Sequence, residues 1–408
     1  MPPYFPTVAN VLEAVKRIEH VCKKTPLQLN IELSRRHSAN VFLKREDMGL
    51  VRSYKLRGAY NKMFWLNTES VVTCSAGNHA QGVAYSCRNL NVSGDIFMPT
   101  ITTQQKIHRV KSLGGDNVKI YLKGSTLEES FKIAKKHALD QEKDFIHPFD
   151  DEKVIEGQAT VGLEIFEQMA HSHIDYVFLP VGGGGLAAGV ASYLKEVSPN
   201  TKIIGVEPAG APSMTAALTV GRPIRLDRMD PFVDGAAIQQ VGDLNYPICS
   251  KYLDEVIVVD EGHICSKMVQ LYNESGLIIE PAGVLSLCGL DLFPKVKQRN
   301  VVCVVSGGNS DVFRMPEILE KSLVYEGLKH YFKIHFAQRA GSLKEFILKV
   351  LGPADDIIYF RYTRALSKET GPVVIGLQVK SKGDIHRIMD EMKAAGFKFE
   401  KLRGLAEE

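Results

Sequence analysis

Eight short runs rich in β-branched residues recur through this chain, and helical spacing fills the stretches between them. They are Val41–Lys44, Val71–Thr73, Asp95–Met98, Val118–Leu122, Tyr176–Pro180, Lys202–Val206, Glu255–Val259 and Val301–Val305. Strands that alternate with helices need crossover connections, so the pattern predicts an α/β fold of parallel sheets covered by helices. The spacing also suggests two lobes. At 408 residues, 45% hydrophobic and 24% charged, the chain can bury a large core and is long enough for two or three domains. Its formal charge of +3 is spread through mixed-sign sequence and leaves no nucleic-acid footprint. No apolar run approaches the length of a membrane span, and no signal peptide is visible. Seven scattered cysteines without C-x-x-C suit reduced thiols, so a cytoplasmic protein with no disulfide or metal framework is expected. Cys74 reads as a small buried hydrophobe, since no His/Asp grouping supports it as a nucleophile.

Chemistry gathers at the ends of these runs. Gly182, Gly183, Gly184 and Gly185 follow Tyr176–Pro180 and precede a helical stretch from Leu186 to Leu194. Backbone N–H groups close on an anion only where no Cβ intervenes, and a helix start adds its positive end, so the segment reads as a phosphate cradle. It also satisfies G-x-G-x-x-A, with Glu207 about twenty residues on, which is the pattern of a dinucleotide site. A third reading is a glycine cluster that lets a helix pack on a sheet. Lys55 stands between Ser53 and a helical run from Gly58 to Leu66. There an amine can lose solvent, drop in pKa and form a Schiff base; the alternative is a solvated surface charge. The polar turn from Ser75 to Gly82 offers Asn78 and backbone donors to a ring hydroxyl and a carboxylate, or it simply caps a helix. Ser306 puts a neutral hydroxyl at the end of Val301–Val305, or begins an ordinary turn.

In order, S-Y-K-L-R-G from Ser53, S-A-G-N-H-A-Q-G from Ser75, G-G-G-G-L from Gly182 and S-G-G-N from Ser306 resemble the fold type II pyridoxal-phosphate enzymes, and within them the threonine dehydratases. The likeness covers about the first 325 residues and takes in Thr25–Leu27, Leu43–Asp47, His147–Asp151 and Asp234-Gly235. It implies pyridoxal 5'-phosphate on Lys55, with Asn78 on the ring hydroxyl, Gly182 to Gly185 and Leu186 on the phosphate, and Ser306 on the ring nitrogen. The small lobe would span residues 50–150, with the cofactor in the cleft between lobes. The implied reaction is dehydration and deamination of L-threonine to 2-oxobutanoate and ammonia, with L-serine as a second substrate. Lys55 would remove the Cα proton, and Ser75, Asn78 and the backbone around His79 would hold the carboxylate. His79 is either a general base or a structural part of the turn. Serine racemases are similar but carry a second serine where Ala76 stands here. The family's divalent-cation variants have an acidic residue shortly after the glutamate at position 207, and the stretch to Ser213 has none, so no metal is expected. Glu156 and Ala159 also depart from a commoner Ala and Gly. A nicotinamide oxidoreductase and a catalytically dead amino-acid sensor are the alternatives from other classes.

Past Ser306 the pattern changes. Pro316–Tyr325 reads as a connecting helix stopped at Gly327. Phe332, Ile334 and Phe336 then alternate as in a strand, while Leu343, Phe346, Ile347 and Val350 have helical spacing. Ile357–Tyr362 and Val373–Val379 are strand-like, Ile385, Ile388, Met389 and Met392 mark a helix capped by Asp384, and Phe397 and Phe399 begin a last strand. This is the βαββαβ order of a ferredoxin-like unit. It resembles a single ACT-like regulatory domain of biosynthetic threonine dehydratases, which divides the chain into a catalytic domain at 1–325 and a regulatory domain at 326–408. An amino-acid effector, isoleucine, is expected at the turn of Arg339, Gly341, Leu343 and Phe346, in a homotetramer. An oligomerisation appendage is the other reading.

Overall fold

The computed structural model describes residues 3–170, 172–362 and 370–402. The chain forms two compact units, Met1–Val312 and Phe313–Glu408. In the first, the described strands are β1 (Leu27–Leu29), β2 (Asn40–Arg45), β3 (Ser70–Cys74), β4 (Ser93–Met98), β5 (Val118–Leu122), β6 (Asp144–Phe145), β7 (Tyr176–Pro180), β8 (Lys202–Pro208), β9 (Glu255–Val259) and β10 (Asn300–Val305). They build two sheets, ordered β1-β2-β10-β7-β8-β9 and β5-β4-β3-β6. Every pairing is parallel except β1 on β2. That edge strand and β6 are too short to show a period, so the sequence pattern passes over both. The central strand β10 is enclosed on both faces, with Val301, Val302, Cys303, Val304 and Val305 all fully buried, which is why it reads as an unbroken apolar run.

The helices that matter for the cleft are α1 (Val8–Ile18), α2 (Lys55–Leu66), α3 (Asn78–Leu90), α4 (Glu152–Gln168), α5 (Gly185–Val197), α6 (Ser213–Val220) and α7 (Pro281–Asp291). Helices α2 and α4 approach so closely that a Cβ on Gly157 would lie 2.6 Å from the Arg57 carbonyl oxygen. Beside this crossing lies a buried ion cluster. Arg57 of α2 donates to both oxygens of Glu46 at 2.8 and 3.0 Å and to both oxygens of Glu164, on α4, at 2.7 and 2.9 Å. Lys44 of β2 reaches Glu164 at 2.5 Å and the Thr25 carbonyl at 2.8 Å, and the Thr25 hydroxyl donates to Glu46 at 2.6 Å. Two positive and two negative side chains, each under a tenth exposed, thus neutralise one another.

Glu156 has a structural explanation as well. Its buried carboxylate accepts from the Tyr4 hydroxyl at 2.7 Å and from Lys153 at 2.7 and 3.0 Å, and Arg17 of α1 lies 3.9 Å away. The residue that departs from the commoner Ala ties the N-terminal segment to α4.

The second unit has β11 (Lys329–Ala337), β12 (Asp356–Tyr362), β13 (Thr370–Gln378) and β14 (Lys398–Leu402), with α8 (Met315–Tyr325), α9 (Ser342–Val350) and α10 (Asp384–Ala394). Its sheet is antiparallel in the order β12-β13-β11-β14, as a βαββαβ chain demands. Phe332, Ile334 and Phe336 face the helices and are fully buried. Helix α8, expected as a connector, belongs to this unit: Glu320 bonds Lys329 and Tyr331 of β11, and Val324 packs beside Tyr331. Asp384 is the first residue of α10 rather than its cap; Gly383 holds that position and the Asp384 carboxylate accepts from the Ser381 N–H at 2.9 Å. Ile347 is exposed, because α9 turns Phe346 and Val350 inward instead.

Removing one member of the cluster leaves an uncompensated buried charge, at a cost of about 3–5 kcal/mol. Arg57→Ala should lower the urea midpoint of the first unit accordingly, read by the fluorescence of Trp65, the chain's single tryptophan, which sits in α2. Burial raises the Glu164 carboxyl, but Arg57 and Lys44 hold it below its ordinary 4.5. A depressed carboxyl contributes stability above pH 4.5 that is lost as the pH falls through the lowered value, so the Arg57 variant should also show a weaker acid-induced loss of stability below pH 4.5.

Candidate active site

The turn before α2 is sewn by backbone bonds onto the loop after β10. Ser53 forms an antiparallel bridge with Gly307, the Tyr54 N–H donates to the Ser306 carbonyl at 3.2 Å, and the Gly308 N–H donates to Arg52 at 2.9 Å. Lys55 opens α2, is half-buried, and donates from Nζ to the Pro148 carbonyl at 2.8 Å. Desolvation pushes its pKa down to about 8, against the opposing pull of the Glu280 carboxylate. Residues 250 positions apart meet here through main-chain bonds, which no side-chain pattern foretells.

Asn78 begins α3. Its Oδ1 accepts from Asn309 Nδ2 at 2.7 Å and its Nδ2 donates to Glu280 Oε1 at 2.6 Å, so the asparagine turn and the S-G-G-N loop meet at one amide. Ser75 Oγ accepts from the Gly77 N–H at 3.2 Å. The first N–H groups of α3 have no partner within the helix and are available to an anion. His79 is turned away, its Nε2–H on the Ile146 carbonyl at 3.0 Å; burial holds its pKa down at about 3. With Nε2 committed to a main-chain carbonyl and burial favouring the neutral ring, His79 fits the structural reading of the turn.

At the third corner Gly184 takes φ +93° and caps α5, which starts at Gly185. Each of the four glycines is required by a close neighbour. A Cβ on Gly183 would sit 2.4 Å from the Phe149 ring, on Gly185 2.9 Å from the Phe149 carbonyl, on Gly182 2.9 Å from the Ala236 carbonyl, and on Gly184 2.9 Å from Asn245 Cβ. Packing and anion binding are therefore compatible readings: the Cα faces take the chain and the N–H groups of the α5 start stay free. Leu186 is a core residue, so it can contribute only its backbone N–H. Ser306 is buried, with only a long 3.4 Å contact from Oγ to the Ala282 carbonyl, and so its hydroxyl is free to turn. Several buried side-chain polar atoms of the described residues have no hydrogen-bond partner, and Ser53 Oγ and Asn245 Oδ1, on residues that touch the S-G-G-N loop and the glycine cradle, are among them. A glycine-lined helix start with free N–H groups, an amine of lowered pKa and the unpartnered Ser53 hydroxyl suit an anionic, polar cofactor joined to Lys55.

The dinucleotide reading fails at Glu207. It is fully buried, its Oε1 accepts from the Met214 N–H at 2.6 Å, and its Oε2 accepts from the Thr215 N–H and hydroxyl at 2.9 and 2.8 Å. Both oxygens anchor α6, and complete burial keeps the carboxylate from a ribose. Cys74 is buried with its thiol pushed up to about 11, inert as expected. Among the described residues no group of His, Cys, Asp and Glu is arranged to hold a metal, and no helix is long and apolar enough to cross a membrane. Sequence reasoning missed Glu280, whose signal was only an acidic residue before Pro281 at a helix start, and Asn245, which clamps the Gly183 and Phe149 carbonyls at 2.8 and 3.0 Å.

In the second unit, Gly341 has φ +88° and caps α9, and the Ser342 hydroxyl donates back to the Ala337 carbonyl at 2.6 Å. Arg339 is exposed and pairs with Glu345 at 2.5 Å, and Leu343 is half-buried. Phe346 is fully buried against Phe336 and Phe397, which corrects its expected place on a ligand-facing surface: it supports the turn from within the core.

The family described as pyridoxal-phosphate dependent enzymes matches residues 18–307, and the C-terminal regulatory domain of threonine dehydratase matches residues 320–404. The fold and the cleft are those of a type II pyridoxal-phosphate enzyme. The chain is 48% identical to L-threonine dehydratase biosynthetic IlvA of Halalkalibacterium halodurans, across 97% of this chain and 96% of that one, and 45% identical to the Bacillus subtilis protein of the same name, across 96% and 94%. Among solved structures it is similar to the processed form of threonine deaminase isoform 2 from Solanum lycopersicum, with a TM-score of 0.71 and 39% identity over 78% of this chain and 95% of that one. This chain belongs to the biosynthetic L-threonine dehydratases.

Overpacking at the cradle costs about 1–3 kcal/mol. Gly183→Ala, which must push the Phe149 ring aside, should weaken retention of pyridoxal phosphate by about 5- to 150-fold, measured by cofactor fluorescence on dilution.

Proposed function

We propose that this chain dehydrates and deaminates L-threonine to 2-oxobutanoate and ammonia, the first step of isoleucine synthesis, with pyridoxal phosphate joined to Lys55. The observation that carries this is the meeting of Lys55, Asn78, the Gly182–Gly185 cradle and Ser306 around one cleft. When bound, the cofactor supplies an aldehyde that condenses with amines and a ring that draws electrons from the substrate's Cα. Lys55, with a pKa near 8, offers a sizeable neutral fraction at physiological pH and so can accept the Cα proton once its amine is released. Asn78 has one Nδ2 hydrogen on Glu280 and a second left for the ring hydroxyl. Ser306 gives the ring nitrogen a neutral hydroxyl, which cannot keep it protonated as a carboxylate would, and this favours elimination over transamination. The α3 N-terminus and Ser75 hold the substrate carboxylate.

L-Serine lacks only a methyl group, a difference worth about 1–3 kcal/mol in a pocket, so it serves as a second substrate. Maize serine racemase is similar over 79% of this chain at 30% identity with a TM-score of 0.72. Racemisation needs a proton donor on each face of Cα, and Ala76 offers none. Lys55→Ala should abolish both the borohydride-reducible chromophore and threonine turnover. Peptide mass spectrometry that found the reduced adduct on Lys44 or any other lysine would refute the assignment.

We further infer that Phe313–Glu408 binds isoleucine at the turn of Arg339, Gly341 and Leu343 and lowers threonine affinity in a cytoplasmic homotetramer. A helix start capped by Gly341 suits the effector's carboxylate, and half-buried Leu343 suits its apolar side chain. Coupling of about 1–3 kcal/mol would change threonine affinity about 5- to 150-fold. Calorimetry should detect isoleucine binding to the full chain, and truncation after Val312 should keep turnover while losing the isoleucine response. Equal inhibition of the truncated enzyme would end this part of the reading and leave the catalytic part intact.

A further inference from the structure

Glu280 is the acid that the reaction as derived does not use. It precedes α7, is 6% exposed, bonds Asn78, and donates its own N–H to the Gly307 carbonyl at 3.3 Å, where Gly307 bridges Ser53 two residues before Lys55. The direction of its bond to Asn78 follows from outside the pair. The Val51 carbonyl, which can only accept, takes a hydrogen from Asn309 Nδ2 at 2.9 Å, and the same nitrogen donates to Asn78 Oδ1 at 2.7 Å. Asn78 must then present Nδ2 to Glu280, and Glu280 Oε1 must accept, at 2.6 Å. The Asn309 backbone N–H also donates to this carboxylate. The surrounding loop is shaped to admit the contact. A Cβ on Gly307 would fall 2.3 Å from Glu280 Oε1 and 3.2 Å from Asn78 Nδ2, so the first glycine of S-G-G-N makes room for the glutamate.

We propose that Glu280 is a positioning residue of the reaction centre, which fixes the Asn78 amide and sets the proton balance of Lys55, a role that rests on Lys55 being the cofactor lysine. The charged and titratable groups that face the glutamate are Lys55, Tyr54, Asp234 and Lys106, and the last two are paired with each other at 2.6 Å. Lys55 also faces His79 and His147, both of which burial keeps neutral with values near 3. Glu280 is thus the charge that favours the ammonium form of Lys55. Burial, with Asp234 adding to it, lifts the glutamate to about 7 while burial lowers the lysine to about 8. The carboxylate therefore biases Lys55 toward its ammonium form while burial pulls the amine the other way. An amine that must first be released and then take up a proton gains from such a neighbour.

Glu280→Gln removes the charge and keeps an oxygen for Asn78, whereas Glu280→Ala removes both. In full-length protein freed of cofactor, the pH dependence of Lys55 acetylation is followed by peptide mass spectrometry. Wild type should show a midpoint near pH 8. Loss of a carboxylate that favours the ammonium must lower that midpoint, so Lys55 of both variants should acetylate about three- to tenfold faster at pH 7 than in wild type. After reloading, Glu280→Gln should retain pyridoxal phosphate within about twofold of wild type, while Glu280→Ala should retain it about tenfold less well, because Asn78 has lost its acceptor. Equal midpoints in wild type and Glu280→Gln would overturn the proposal, as would a wild-type midpoint near 10.5. Borohydride reduction of the reloaded proteins separates the two levels of inference: an adduct on another lysine overturns the cofactor reading and this proposal with it, whereas an adduct on Lys55 with unmoved midpoints overturns this proposal alone.

Discussion

The contact on which the cleft depends is the buried cluster of Arg57 with Glu46, Glu164 and Lys44. It joins the first turn of α2 to α4 and to β2 with its following turn, two residues past Lys55. Desolvating four charges is expensive and well-packed apolar residues could fill the same space, so stability alone does not account for it. Its fork geometry does more than fill space. Arg57 engages both oxygens of each of two carboxylates, which fixes the rotation of α2 about its axis and hence the direction in which Lys55 leaves the helix.

The same economy recurs at the rim of the cleft, where polar contacts are set by main-chain geometry. The Val51 carbonyl orients Asn309, and Asn309 on one side and Glu280 on the other fix the Asn78 amide. The His147 Nδ1 accepts from the Asp150 N–H at 2.8 Å and shapes the turn that carries the Pro148 carbonyl to Lys55 and the Phe149 ring to the glycines. Each side chain that faces the cofactor space is thereby supported by one that does not.

Much of this was legible in the sequence. The run Tyr176–Pro180 coincides with a strand because a strand buried between helices must be apolar throughout, and the edge runs Val118–Leu122 and Glu255–Val259 were legible from their β-branched residues although both are partly exposed. The alternation of Phe332, Ile334 and Phe336 located the sheet face of the second unit because only one face of β11 meets the helices while Lys333 and His335 are exposed. What stayed hidden were features without a period: the three-residue β1, the ordering of strands within each sheet, and the attachment of α8 to β11. Glu280 stayed hidden because a lone glutamate before a proline carries no chemistry until Asn78 and Lys55 stand beside it. Phe346 was misplaced because helical spacing gives a face, and a face does not say whether a ligand or the core lies against it.

The central claim is that these separate segments form one cofactor site with Lys55 at its end, and a crystal structure of the protein crystallised with pyridoxal phosphate tests it most directly. The account predicts electron density continuous from Lys55 Nζ into the cofactor, its phosphate on the backbone N–H groups between Gly182 and Leu186 and its ring nitrogen within hydrogen-bond distance of Ser306 Oγ. A cofactor bound with its phosphate elsewhere, or an unmodified Lys55 beside it, would contradict the account.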